Sequence, residues 1–411
     1  MFWNTLQKSV KVIFTPLGRL ATGLGVTVGL ADIVLESARD YFLAGTAKVV
    51  TDLVFQAISH ILKAMTLNLG NLLNIFTEVF SEASEPLCYV WKNRSDFLKF
   101  LIDLAEAVRF SKTDDSRYNE WDMTSTNNRY AIVYQLQRLA LSFVFFLSNK
   151  GSIKLENLEM NTMLNSDFPN GTALPPTVPA KLNKSKERWL FVNGICGEYH
   201  WLELSCNKLR DRFKKEITGV FNRSDGIIWD LIECAGERYL DDQKTLLQRT
   251  KSSMDAQNIL EKELINALWP STKKATHQVV MIAHSQGCLL LRLVLQNILK
   301  KYKRKTQRDD IKNRLSIFTF GNPSIDWKVN DGSESLHGYM KRTEHFANRE
   351  DFVAKLGILN SYNFEDRGYL RQHVFISECK GHWFGSQYSL SKDDYHEGRN
   401  STLLNEDYHL N

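Results

Sequence analysis

Apolar and polar positions repeat with two different periods along the chain. Over residues 40–110 the period is helical. Val49, Val50, Leu53, Val54, Ala57, Ile58, Ile61 and Leu62 recur at three-to-four spacing, with Asp52, Gln56, Ser59 and Lys63 between them. Phe97, Leu101, Leu104, Ala105 and Val108 repeat the pattern further on. Such stripes predict amphipathic helices, each with one face to bury. That face meets either the rest of the protein or a bilayer.

Beyond residue 187 the texture changes to short apolar runs separated by helix-like segments. This predicts βαβ units and a largely parallel sheet. Strands are expected at Trp189–Val192, Ile227–Trp229, Val279–Ala283, Leu315–Phe320 and Thr343–Ala347, and helices at Leu202–Lys215, Asp241–Ala267 and Gln286–Lys301. Between the two regions, Pro169, Pro175, Pro176 and Pro179 fall among Asn, Ser, Gly and Thr and mark a connection. The division that follows is a helical, apolar-rich region over 1–150 and a proline-rich connection over 151–186. An α/β core over 187–390 comes next, then a polar, loosely ordered tail over 391–411.

Composition sharpens one part of this picture. The 411 residues are 43% hydrophobic and 24% charged, which excludes wholesale disorder. Residues 1–90, however, hold 13 charged side chains against 86 in residues 91–411, so the first quarter is not composed like an ordinary soluble surface. No uncharged run reaches the ~18 residues of a membrane span. The nearest, Tyr130–Asn149, contains Arg138 and reads first as a buried helix and second as a membrane hairpin. Lys8, Lys11 and Arg19 precede the uncharged run Leu20–Ala31, but Gly23, Gly25 and Gly29 and the lack of a cleavage site make a poor signal peptide. The net charge of +5 is too small to argue for a nucleic-acid partner. The basic run Lys300-Lys-Tyr-Lys-Arg-Lys reads as a solvated helix end, or as an attraction for anionic headgroups. Six cysteines without a CxxC pair read as reduced thiols. With no His/Cys cluster, HExxH or Walker loop, neither a metal nor a nucleotide cofactor is expected.

Chemistry concentrates in one segment. The apolar run Gln278–Ile282 leads into Ala283-His284-Ser285-Gln286-Gly287 and then into an apolar-periodic helix. This is the strand, sharp turn and helix that a G-x-S-x-G nucleophile requires, with Ala283 and Gly287 small enough to let the backbone turn. A helix N-terminus beside Ser285 also offers the Gln286 N–H to a developing oxyanion. Upstream, Trp189-Leu-Phe-Val-Asn-Gly-Ile-Cys-Gly is a strand ending in a turn, which makes Ile195 or Cys196 the second donor. Downstream, Asp351 lies in a polar turn after a strand, and His382 lies in the glycine-bracketed loop Lys380-Gly-His-Trp-Phe-Gly. The order Ser, Asp, His is that of the α/β hydrolases. Glu350 remains an alternative acid, and His373, His396 and His409 alternative bases. His284 adjoins the nucleophile but points aside, and is expected to pack near the site mouth.

Residues 187–390 resemble the α/β-hydrolase lipases and esterases. Ala283–Gly287, Thr319-Phe-Gly-Asn-Pro323 and Ala347-Asn-Arg-Glu-Asp-Phe-Val353 are similar to the elbow, the following strand turn and the acid loop of class 3-type lipases. The resemblance implies an α/β-hydrolase fold, a mostly parallel central sheet flanked by helices, here with a helical N-terminal extension. It also implies Ser285 as nucleophile, Asp351 as acid and His382 as base. Asn193 stands where many members have His. A lipase core on such an extension also resembles translocated bacterial effector lipases of the SidB type. The expected activity is hydrolysis of a lipid acyl ester, with peripheral membrane contact through the N-terminal helices. The alternatives are acyl transfer or thioester cleavage by the same three residues, or a membrane- or partner-binding module without turnover.

Overall fold

The strand sequences after residue 187 are apolar at both parities because both faces of their sheet are covered. The computed structural model describes residues 116–135, 138, 187–227, 229–230, 233–234, 250–270, 278–329, 334–360 and 364–405. The expected helices within 1–115, the connection over 151–186 and the chain end from 406 lie outside the described residues. The chain divides into two compact units, one of residues 1–112, 121–153 and 160–165, the other of residues 113–120, 154–159 and 166–411.

In the first unit, the described stretch starts a helix after Ser125, whose hydroxyl accepts the Asn128 N–H at 3.4 Å. The Asp122 carboxylate takes the N–H and hydroxyl of Thr124, and Arg129 Nε donates to Met123 O at 2.6 Å. Ala131, Ile132, Val133 and Arg138 are buried.

The second unit holds a six-stranded, all-parallel sheet flanked by helices, an α/β fold. Its strands are β1 (Glu187–Val192), β2 (Ile217–Val220), β3 (Gln278–His284), β4 (Leu315–Phe320), β5 (Arg342–Asn348) and β6 (Val374–Ser377), in the spatial order β2-β1-β3-β4-β5-β6. Helices α1 (Tyr199–Phe213), α2 (Lys251–Leu268), α3 (Gln286–Lys301), α4 (Lys305–Arg314) and α5 (Phe352–Leu356) connect them.

Alternation within each strand builds two cores. Trp189, Phe191, Val280, Ile282, Phe318, Phe320 and Phe346 point to one face, where Leu202, Cys206 and Leu209 of α1 cover them. Leu190, Val192, Val279, Met281, Leu315 and Ile317 point to the other, beneath Leu260 and Leu264 of α2 and Leu291 and Leu295 of α3. The chain runs outward from β1 to β2, then back across to β3 and outward the other way through β4, β5 and β6. The strand order therefore reverses between β1 and β3, and crevices beyond the carboxyl ends of such a pair are where α/β sheets bind ligands.

Two expectations fail. Ile227–Trp229 is not a strand: Gly226, at φ 107°, turns the chain, and the Asp230 N–H bonds Gly226 O at 3.1 Å to open a helical turn that buries Trp229. The strand is Ile217–Val220, four residues too short for its alternation to register. Residues 391–405 are also not loose. Glu344, buried on β5, accepts Ser401 Oγ at 2.8 Å, Thr402 N at 2.7 Å and Leu403 N at 3.3 Å. Leu403 and Leu404 are fully buried against the same face as α1.

Leu404→Ala is accordingly expected to lower stability by about 2–5 kcal/mol in urea denaturation. A loose tail would keep the change within about 0.5 kcal/mol.

Candidate active site

The backbone at Ser285 makes the turn that the small neighbours permit. β3 ends at His284, Ser285 takes φ 56° and ψ −128°, and α3 begins at Gln286. A non-glycine residue in this region is strained by about 1–3 kcal/mol. The turn is held by Ser285 N–H to Phe320 O at 2.9 Å and Cys288 N–H to Ser285 O at 2.8 Å. Gly287 has to be glycine because a Cβ there would lie 2.7 Å from Asn193 O and 2.9 Å from Val192 O. Gly194 is tighter still, with a Cβ landing 2.2 Å from Ser285 Cβ. The turn after β1 therefore presses directly on the serine.

Ser285, His382 and Asp351 form a continuous hydrogen-bonded series. His382 Nε2 lies 2.8 Å from Ser285 Oγ, and His382 Nδ1 lies 2.9 and 2.8 Å from the two Asp351 oxygens. A carboxylate only accepts, so the imidazole proton sits on Nδ1 and Nε2 is left to accept from the serine hydroxyl. All three side chains are buried, Ser285 completely. Asp351 precedes α5 and takes the Val353 N–H at 2.8 Å, while the Tyr388 hydroxyl donates to its other oxygen at 2.6 Å. Burial, then the Asp351 charge, pushes the Tyr388 phenol well up, so it stays a donor.

The alternatives lie elsewhere. Glu350 pairs with Lys355 at 2.9 Å, and His396 pairs with Glu378 at an exposed site. His373 packs beside His337, with ring centroids 5.6 Å apart. His409 is outside the described residues. His284 is buried, and its Nε2 lies 2.7 Å from the backbone oxygen of His382. Burial, then the neighbouring His382, holds the His284 imidazole well below its ordinary value. It remains neutral and donates to that carbonyl, a tether for the His382 loop where only packing was expected.

Sequence reasoning missed the rest of that loop's support. Lys208 of α1 donates its ammonium to Phe384 O and Gly385 O, both at 2.9 Å, and to Tyr388 O. Gln387 Oε1 takes the N–H groups of His382 and Trp383 at 2.8 and 2.9 Å. Asn348 Nδ2 donates to Gly381 O at 2.9 Å, and the Gly385 N–H donates to Glu120 at 2.6 Å. The Lys208, Asn348 and Glu120 contacts carry no local motif, since their partners are distant in sequence.

The oxyanion candidates separate. Gln286 opens α3 and points its side chain away, Nε2 to Glu233 at 2.9 Å and Oε1 to Asn222 Nδ2 at 2.9 Å, leaving its backbone N–H at the helix start. The Cys196 N–H is engaged by Asp230 Oδ2 at 2.7 Å. Neither Ile195 nor Gln286 has a protein acceptor for its N–H among the described residues. Asn193, at the position noted for its missing His, pairs reciprocally with the backbone of Asn222 at 2.8 Å in each direction.

No three His, Cys, Asp or Glu side chains are grouped to hold a metal among the described residues. The five described cysteines are free, four of them buried. Lys300–Lys305 lies at the far end of α3, about 24 Å along a 16-residue helix from Ser285. No protein-family model matches the chain, and no curated protein matches it in sequence.

Gly194→Ala is expected to overpack the turn, lowering stability by about 1–3 kcal/mol. Gly338→Ala, with nothing within 4 Å of the added carbon, serves as the control. A pH dependence follows from Asp230. Burial raises its carboxyl to about 7, against hydrogen bonds from Ser224 and Cys196 that lower it, with Asp225 adjacent and Arg223 paired to Asp225. Between about pH 4 and 7 the folded state keeps a proton that the unfolded chain has lost. That contribution is therefore full at low pH and declines as pH rises through 7. Asp230→Asn should flatten this part of the urea midpoint's pH profile, and an unchanged profile would count against a proton held there.

Proposed function

We propose that the chain is a serine ester hydrolase built on an α/β-hydrolase core similar to class 3-type lipases. The observation that carries this reading is the Ser285–His382–Asp351 series at the carboxyl ends of the strands, beside the reversal of strand order. Ser285 Oγ attacks an acyl carbonyl while His382 Nε2 takes its proton. Asp351 orients the ring and stabilises the imidazolium. Charge on the carbonyl oxygen is met by the N–H groups of Gln286 and Ile195. The alcohol leaves with the proton from His382, and water activated by the same histidine releases the acid. A lipid acyl ester as substrate rests on the family resemblance and on the poorly charged residues 1–90. Docking of the N-terminal region to a membrane rests on the same composition.

Incubation with a fluorophosphonate, followed by peptide mass spectrometry, is expected to label Ser285 in the wild type and nothing in Ser285→Ala. Asp351→Asn should keep the fold and lower kcat by about 10⁴-fold on p-nitrophenyl and phospholipid esters. Folded wild-type protein that neither labels nor turns over ester would overturn the reading.

A further inference from the structure

The turn that carries Ile195 and Cys196 does not hold its shape alone. Cys196 takes φ 54°, a left-handed backbone that a residue with a Cβ adopts only when its surroundings impose it. The restraint comes from Asp230, on the helical turn that follows β2. One carboxyl oxygen accepts the Cys196 N–H at 2.7 Å and the Ser224 hydroxyl at 2.6 Å, and the other accepts the Asp225 N–H at 3.2 Å. Asp230 is buried, so water does not compete for these bonds. Two further straps join the same loops: the reciprocal Asn193–Asn222 pair, and the Ser224 N–H to Gly197 O at 3.2 Å.

We propose that Asp230 is the positioning residue of the oxyanion site: it pins the 195–196 peptide through the Cys196 N–H, and so sets the adjoining 194–195 peptide with the Ile195 N–H, and not that of Cys196, facing the acyl oxygen bound at Ser285. This rests on the serine hydrolase reading and adds to it. The Asn193 side chain fixes the turn at its start, Asp230 fixes it at Cys196, and the peptide between them retains no free rotation. Gly194, pressed on Ser285, sets the height of that peptide over the nucleophile. The two donors are thereby organised from one segment, because Asn222 and Glu233, which flank Asp230, also bind the side chain of Gln286. Asp230 touches no reacting atom. It acts through the backbone, and its loss lets the Ile195 donor drift. Misplacement of a positioned group by about 1 Å costs up to about 10²-fold in rate.

The test uses the full chain, with wild type, Asp230→Ala and Asp230→Asn compared. The readouts are fluorophosphonate labelling of Ser285, kcat and KM on a p-nitrophenyl ester, inhibition by a trifluoromethyl ketone whose tetrahedral adduct needs the oxyanion donors, and thermal unfolding. Asp230→Ala is expected to lower kcat by about 10- to 100-fold with KM within about threefold, and to weaken the ketone by a similar factor. Asp230→Asn keeps an acceptor for the Cys196 N–H but turns a donor toward that of Asp225. Its kcat and ketone affinity should fall by about three- to tenfold. A purely structural role would lower the unfolding temperature and the amount of active enzyme, leaving ketone affinity per labelled site unchanged. That result, or kcat within twofold of wild type in either variant, overturns the proposal. If Asp230→Ala does not fold, the near-isosteric Asp230→Asn decides alone by the same criteria. Wild-type protein that fails to label defeats the hydrolase reading itself, which separates the two failures.

Discussion

The backbone of Gly194 lies so close to the side chain of Ser285 that a single added carbon would sit 2.2 Å from Ser285 Cβ, and most of the site's construction follows from that approach. It requires β1 and β3 to be neighbours, in a register that sets Val192 beside Ala283 so that both strands end at the same level. It requires glycine at 194 and again at 287, where the turn's carbonyls close in from the other side. It also requires Ser285 to leave the strand at a positive φ, since an extended residue would carry its Oγ away from the turn. A parallel pair that are neighbours in space but separated by β2 in sequence provides this only through a crossover, and α2 on the opposite face from α1 is that crossover.

Much of this was legible in the sequence because it lies in long, strongly patterned segments. Leu315–Phe320 and Gln286–Lys301 have the predicted bounds, and the Ser285, Asp351 and His382 side chains meet as their order along the chain suggested. What was misread was short or governed from a distance. Ile217–Val220 follows two lysines and a glutamate and contains a glycine, so its four residues carry no period of their own. Ile227–Trp229 has strand-like composition, yet Gly226 turns the backbone and the tryptophan is buried from a helical turn. Tertiary burial overrode local preference there. α4 has one buried residue, Ile311, in ten, which leaves no stripe to detect.

The tail shows the same limit in reverse. Residues 391–405 read as polar because their apolar side chains are sparse, but Tyr395, Leu403 and Leu404 fill the sheet face. The Ser401 hydroxyl and the Thr402 and Leu403 N–H groups among them are satisfied by a buried glutamate on β5, more than fifty positions away. Arg342 Nε also pairs with Glu344 at 2.9 Å, and because a buried carboxylate is expensive to leave short of partners, Ser401–Leu403 stabilise it further.

This tail and the His382 loop share one core with the sheet, and that bears on how His382 is held. Phe384 packs on Phe191 at 4.9 Å and on Phe320 at 5.2 Å, while Tyr388 lies 5.8 Å from Phe320 and bonds Asp351. The Lys208 ammonium gathers the carbonyls of this stretch and stands over the Phe384 ring at 5.5 Å. The loop is therefore not a surface strand of chain that happens to carry a histidine. Phe384 and Tyr388 pack into the core beside β1 and β4, and the imidazole projects where the exposed Cys379 and Lys380 give way to the buried Trp383 and Phe384. Fixing His382 through aromatic packing and one half-buried cation removes rotational freedom, which is what the proposed proton transfer between atoms 2.8 Å apart demands. A histidine mounted in this way shifts only when the sheet face behind it shifts.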